Sequence, residues 1–145
     1  MQNLPHHYPV SATCSSAGNV ELTSPGLDVI ESAPPAEFGG PGDRWSPESL
    51  LTAAVADCFI LSFKAIAQAS KFDWVSLSCD AEGILDRMDR ITRFTEFQLR
   101  AELVCPPGTN EQKAMRLLEK AEGICLITNS LTSETHLITE VRISS

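Results

Sequence analysis

The chain has 145 residues, which suits a single domain over 1–145, and with 43% hydrophobic residues it can fill a core. Its net charge of −8 argues against nucleic acid and against anionic membranes, both of which demand a basic surface. Five cysteines, an odd number, do not form a secreted disulfide framework.

The N-terminus, MQNLPHHYPV, lacks a basic region followed by an apolar one, so no secretion signal is expected and the location is cytoplasmic by default. In that reducing compartment the cysteines are free, metal-bound or catalytic. Residues 1–9 carry two prolines and two histidines and read as an arm. Residues 10–16 and 20–23 are short strand-like pieces around an Ala17-Gly18-Asn19 turn. Ser24-Pro25-Gly26 is a second turn, and 27–32 is a third strand. Residues 33–45, APPAEFGGPGDRW, are rich in Pro and Gly and form a loop.

That loop feeds the stretch around which the chain is organised, residues 46–70. Ser46 suits the N-cap, Pro47 the first helical position, and Glu48 the first turn, where the helix dipole favours an anion. Beyond them the segment is apolar on nearly every side, the mark of a buried helix. Its longest apolar run, 50–63, is interrupted by Thr52, Asp57 and Ser62 and reads as too short and too polar to span a bilayer. Cys58 sits at its middle. Ten positions separate Glu48 from Cys58, close to the roughly 10.8 residues of three turns, so carboxylate and thiol share a side.

After Ser70 the chain alternates with period two from Val75 to Asp80, turns within 83–90, and alternates again over 92–105. Pro106-Pro107-Gly108 stops that strand. Thr109 with Gln112 three residues on makes a capping box for a helix to about Glu122, with Met115, Leu117, Leu118 and Ala121 as its buried stripe. Gly123 ends the helix, Cys125 opens a new turn or short helix, and 135–143 is the last strand. Strands, long helix, strands, helix, strand is an α+β order.

Cys58 alone reads as a small buried hydrophobe, the ordinary fate of a free cysteine. Cys125 at a helix start, where thiolates are stabilised, makes the two a reasonable redox pair. Spacing does not specify it, because 67 positions separate them. Cys14 and Cys79 sit in strand patterns as core or half-buried positions, and Cys105 ends a strand. No cysteine has a second Cys or a His at zinc-ligand spacing, so no metal is expected. His6, His7 and His136 are assigned no role. Trp45 and Phe59 read as core, or as the apolar lining of an entrance.

The string Ser46-Pro47-Glu48-Ser49-Leu50-Leu51-Thr52-Ala53-Ala54-Val55-Ala56-Asp57-Cys58-Phe59 resembles the P-E-x-L-L-x-A-A-x-A-x-C-F signature of the OsmC/Ohr family. Those names stand for osmotically induced protein C and organic hydroperoxide resistance protein. Cys125-Leu126-Ile127-Thr128-Asn129-Ser130-Leu131 is similar to the family's second signature, C-x-[VI]-[ST]-N-[AS]-L. Together with the element order, the resemblance spans most of the chain. It implies antiparallel sheets around a long central apolar helix in an intertwined homodimer. It also implies a peroxidase of organic hydroperoxides with no cofactor, recycled by an external dithiol of the dihydrolipoyl or thioredoxin type. Cys58 would be the peroxidatic cysteine and Cys125 the resolving one. Glu48 matches the family's acid by position. Its charge alone would raise the Cys58 pKa, so a cation between them is needed. Arg44 is the candidate, with a planar guanidinium able to bond Glu48 through two N–H groups. The hydroperoxide-resistance branch draws its arginine from an early Gly-Gly-Arg stretch, whereas no arginine precedes Arg44 here. That departure points to an OsmC-like or divergent branch, and Arg44 reads equally as a solvated loop charge. Two other readings stand beside the peroxidase. One is a hotdog-type acyl-thioester hydrolase or acyl-binding domain, and the other a non-catalytic OsmC-like ligand-binding protein.

Overall fold

The computed structural model describes residues 2–145. The chain divides into two compact units, Met1–Leu50 and Leu51–Ser145.

The first unit holds an antiparallel sheet of β1 (Ser11–Thr13), β2 (Val20–Thr23) and β3 (Ile30–Ser32) in that spatial order. The β1–β2 turn is closed by Gly18 N–H donating to the Ser15 carbonyl. The strands are shorter than the sequence suggested: β1 stops before Cys14, which is exposed rather than half-buried, and β3 begins only at Ile30. The Pro/Gly-rich loop contains one 3-10 turn, Ala36–Phe38. It returns to pair Ser32 with Trp45, sealed by Ala33 N–H donating to the Trp45 carbonyl at 2.9 Å. Trp45 itself is 52% exposed and is no core residue.

Helix α1 spans Pro47–Ala69. Its start is capped reciprocally. Ser46 Oγ accepts the Ser49 N–H at 3.1 Å, and Ser49 Oγ accepts the Ser46 N–H at 2.9 Å, so two otherwise orphaned donors are satisfied. Its end is a Schellman motif. Lys71 adopts a left-handed φ of 51°, with Phe72 N–H on the Ala67 carbonyl and Lys71 N–H on the Gln68 carbonyl.

In the second unit β4 (Ser76–Met88), β5 (Ile91–Cys105) and β6 (Glu134–Ile143) form one sheet with β5 at its centre. β4 runs through the stretch expected to turn. The hairpin closes later, at Asp89 and Arg90, whose φ values of 51° and 68° give the left-handed twist a two-residue turn needs. A bulge between Ile84 and Leu85 leaves Thr95 without an opposite residue, and Thr95 Oγ1 donates to the Ile84 carbonyl. β6 pairs with β5 in parallel, which corrects the expectation of wholly antiparallel sheets. The cause is the excursion through α2 (Glu111–Gly123) and α3 (Leu126–Asn129), since parallel neighbours require a crossover and not a hairpin. The α2 cap is Asn110, whose side chain accepts the Lys113 N–H at 3.1 Å. The expected cap, Thr109, instead donates its hydroxyl to the Pro106 carbonyl.

The core joins Val55, Phe59, Phe63, Ile66 and Ala67 of α1 to the inward face of β5 and to Ala114, Leu117, Leu118 and Ala121 of α2. On β5 that face is Phe97, Leu99, Ala101 and Leu103, in the period-two register read from the sequence. The α1 positions fall at steps of four, four, three and one, which is one side of a helix. The other side carries exposed residues. Asp57, Lys64 and Gln68 are exposed there, and so is Leu61, at 56%. α1 is therefore not buried all round. It is also long and apolar enough to cross a bilayer by length and composition, against the expectation, yet its buried stripe makes it the core helix of this fold.

Candidate functional site

Two thiols from distant parts of the chain lie near each other in the second unit. Cys58 stands at the middle of α1, half-buried, beside the fully buried Phe59. Cys125 is the residue before α3 and is only 2% exposed. Each thiol influences the acidity of the other, and both are free. Nearness across 67 positions is a precondition for a disulfide-forming pair, and the sequence alone could not supply it.

Local chemistry fixes where Cys125 goes. Cys125 N–H donates to the Glu122 carbonyl, which turns the chain out of α2, and Asn129 N–H closes the new turn on the Cys125 carbonyl at 3.0 Å. The Asn129 side chain then reaches back to the Gly123 carbonyl at 3.3 Å and ties α3 to the end of α2. Thr128 Oγ1 lies 3.1 Å from the Cys125 carbonyl. Its single proton can serve that carbonyl or the neighbouring sulfur.

The two thiols differ in acidity. Burial pushes Cys58 up, and the presence of Cys125 raises it further; the Ile127 N–H and the Ser62 hydroxyl, 3.9 Å away, work against this without reversing it. Burial would raise Cys125 as well. There the Thr128 N–H and hydroxyl, the Cys58 S–H and the Ile127 N–H outweigh it, and Cys125 ends below an ordinary thiol. Hydrogen bonds to the charged form decide the difference. A third thiol, Cys79 on β4, feels the charge of Cys125 and of Asp80, but burial is the larger effect and pushes it up to about 11.

Of the four residues singled out from sequence, the structure brings Cys58 and Cys125 together. Glu48 lies in the first turn of α1, half-buried. Arg44 lies in the loop before it, and its guanidinium faces Glu31, with Nε to Oε2 at 3.6 Å and both side chains exposed. This replaces the two-pronged bond to Glu48 expected from the sequence. The Ser32–Trp45 pairing draws the end of β3 alongside residue 44 and puts Glu31 within reach. Sequence reasoning missed Ser62, Ile127 and Thr128. The first stands four residues after Cys58, one helical turn along. Thr128 stands three after Cys125, the spacing of a cap to its third residue.

The model of the OsmC-like protein family matches residues 40–140. The organic hydroperoxide resistance protein of Xanthomonas axonopodis pv. citri is 30% identical over 122 residues, 83% of this chain and 82% of its own length. The Bacillus subtilis protein YmaD is 25% identical over 142 residues, 95% of each chain. Among solved structures, that of the organic hydroperoxide resistance protein OsmC from Legionella pneumophila superposes with a TM-score of 0.75 at 26% identity, covering 97% of this chain and 99% of the other. A match over residues 40–140, with a fold of the same kind beneath it, makes this chain a member of the OsmC-like family.

Proposed function

We propose that this chain is a thiol-dependent peroxidase that reduces organic hydroperoxides, with Cys58 as the peroxidatic sulfur and Cys125 as the resolving one. The observation that carries the reading is the placement of two free thiols, one half-buried and one enclosed, near enough to influence each other's acidity. The Xanthomonas relative's name, organic hydroperoxide resistance protein, supports the same substrate class.

The Cys58 thiolate attacks the distal peroxide oxygen and expels an alkoxide, which leaves as the alcohol, and Cys58 becomes a sulfenic acid. Cys125 attacks that sulfur, water departs, and a disulfide forms. An external dithiol of the dihydrolipoyl or thioredoxin type reduces it by exchange. No cofactor or metal enters this cycle. Arg44, which pairs with Glu31, and Glu48 are assigned no part in this cycle. The open side of α1, with Leu61 at 56% exposure, supports an intertwined homodimer that covers it. The test is stopped-flow oxidation of the purified protein by cumene hydroperoxide and by hydrogen peroxide, with thiols counted before and after. Loss of two thiols per turnover, faster with the organic substrate, is expected. Oxidation no faster than that of a free thiol rejects the reading.

A further inference from the structure

Cys58 is the sulfur that the peroxidase reading brings to the substrate, and its surroundings on α1 are unequal. The side chains one helical turn from it are Ala54, Val55, Leu61 and Ser62. Three are hydrocarbon, and Ser62 alone carries a proton to give. Its Oγ stands 3.9 Å from Cys58 Sγ, within reach of a hydrogen bond to sulfur. A serine inside a helix often turns its hydroxyl to the carbonyl four residues back. That residue is Cys58 itself, and the contact made here is with its sulfur. The two side chains sit at the margin of the buried stripe. Phe59 and Phe63, the residues after them, are fully buried, whereas Asp57 and Leu61, the residues before them, are exposed. A charge at such a margin loses part of its water and needs a donor in its place.

We propose that Ser62 is the donor that holds the Cys58 thiolate, its hydroxyl hydrogen directed at the sulfur in the form that attacks the peroxide. This deepens the peroxidase reading and rests on it. A thiol can give or accept a hydrogen bond towards a hydroxyl, but a thiolate has no proton and can only accept. Ionisation of Cys58 therefore fixes the direction of the contact. A hydrogen bond to an ion is also stronger than one between neutral groups, so the contact favours the charged form over the neutral one. Ser62 gives up no proton in the cycle. Its effect on Cys58 opposes that of burial, and the Ile127 N–H of α3 acts in the same sense.

The other titratable groups around Cys58 are few. Cys125, ahead of α3, raises it. Cys79, half-buried on β4, keeps its proton up to about 11. Asp57 and Lys64 on α1 are exposed, and Glu122 on α2 interacts with His136 and Glu119. β5 turns apolar side chains to the core that holds Phe59. Cys58 and Cys125 titrate against each other, so the effect of Ser62 is measured with and without Cys125.

The experiment follows alkylation of Cys58 by iodoacetamide against pH, read by peptide mass spectrometry so that the other cysteines do not enter. It compares the wild type, Ser62→Ala and Ser62→Thr, each also combined with Cys125→Ser. Alanine is the best helix former, so Ser62→Ala should fold, and urea unfolding checks this. Its midpoint should rise by about half a pH unit, roughly a threefold change in the ionisation constant, in both backgrounds. Ser62→Thr, which keeps a hydroxyl, should return it to the wild-type value. Because this readout contains no peroxide, a shifted midpoint in a protein that reduces none would reject the peroxidase and still support the donor. A second arm measures sulfenic acid formation at Cys58 by cumene hydroperoxide in a single turnover. Ser62→Ala should be about threefold slower below the midpoint and match the wild type above it, where Cys58 is ionised in both. An unmoved midpoint in Ser62→Ala overturns the proposal. So does a shift that Ser62→Thr fails to restore, and so does a rate lowered equally at every pH, the mark of lost packing alone.

Discussion

A Cβ at Gly83 would stand 2.8 Å from Thr52 Oγ1, so the second unit closes β4 onto α1 through a position with no room for a side chain. The same Cβ would meet the stacked rings of Phe94 and Phe97 at 2.8 and 2.9 Å. Gly83→Ala therefore forces α1 or the aromatic pair aside. A loss of about 1–3 kcal/mol, the usual cost of overpacking, is expected in urea unfolding. An unchanged midpoint would show that the helix shifts freely over the sheet.

The end of α1 offers the opposite change. Lys71 holds a left-handed φ of 51° that costs an ordinary residue about 1–2 kcal/mol and glycine almost nothing. Lys71→Gly should raise stability by up to about 1 kcal/mol, once the greater freedom of glycine in the unfolded chain is set against that gain. A lowered melting temperature would mean that Lys71 makes contacts worth more than the strain.

Cys79 gives the stability a pH dependence. Its thiol ionises near 9.0 in the unfolded chain and at about 11 in the fold. A raised pKa means that the folded form keeps its proton longer, so this contribution is whole below pH 9 and lost as pH rises towards 11. Urea midpoints should fall across that window, and Cys79→Val, of similar volume, should flatten the slope. Equal slopes in both proteins would place the titration elsewhere.

Turnover should depend on both sulfurs. Cys125→Ser, cycled with an organic hydroperoxide and dithiothreitol, should stall or overoxidise at Cys58, seen by mass spectrometry as added oxygens. Sustained cycling in that variant would falsify the two-cysteine mechanism.

The open side of α1 predicts association. Gel filtration at low protein concentration should give twice the mass of 15.7 kDa, and Leu61→Asp should shift the protein towards monomer. A monomer mass in the unaltered protein would leave α1 half-covered and count against the dimer.

Much of this was legible in the residues. The 46–70 helix, its serine cap, the period-two face of β5 and the family signatures all come from local rules, and local rules are what a sequence displays. Four features were not. The parallel pairing of β6 depends on how far the α2 excursion carries the chain. The turn at Asp89 and Arg90 uses residues that do not advertise a left-handed backbone, and mixed charge before it looked like a turn already. Arg44 was matched to Glu48 by separation along the chain, whereas its carboxylate partner, Glu31, arrives through a strand pairing that no spacing records. The nearness of Cys58 to Cys125 belongs to the same class, and only the motif resemblance pointed to it.

The parallel pairing of β5 with β6 has an evolutionary corollary. A hairpin there would have taken the chain straight from one strand to the next. The longer route carries Cys125 past α1 before the last strand is laid down. Sheet topology and the pairing of Cys58 with Cys125 are thus a single inheritance: a descendant that shortened this connection to an antiparallel ribbon would keep Cys58 and lose its neighbour. The length of that detour, rather than any one side chain, is what lineages retaining the pair would be expected to preserve.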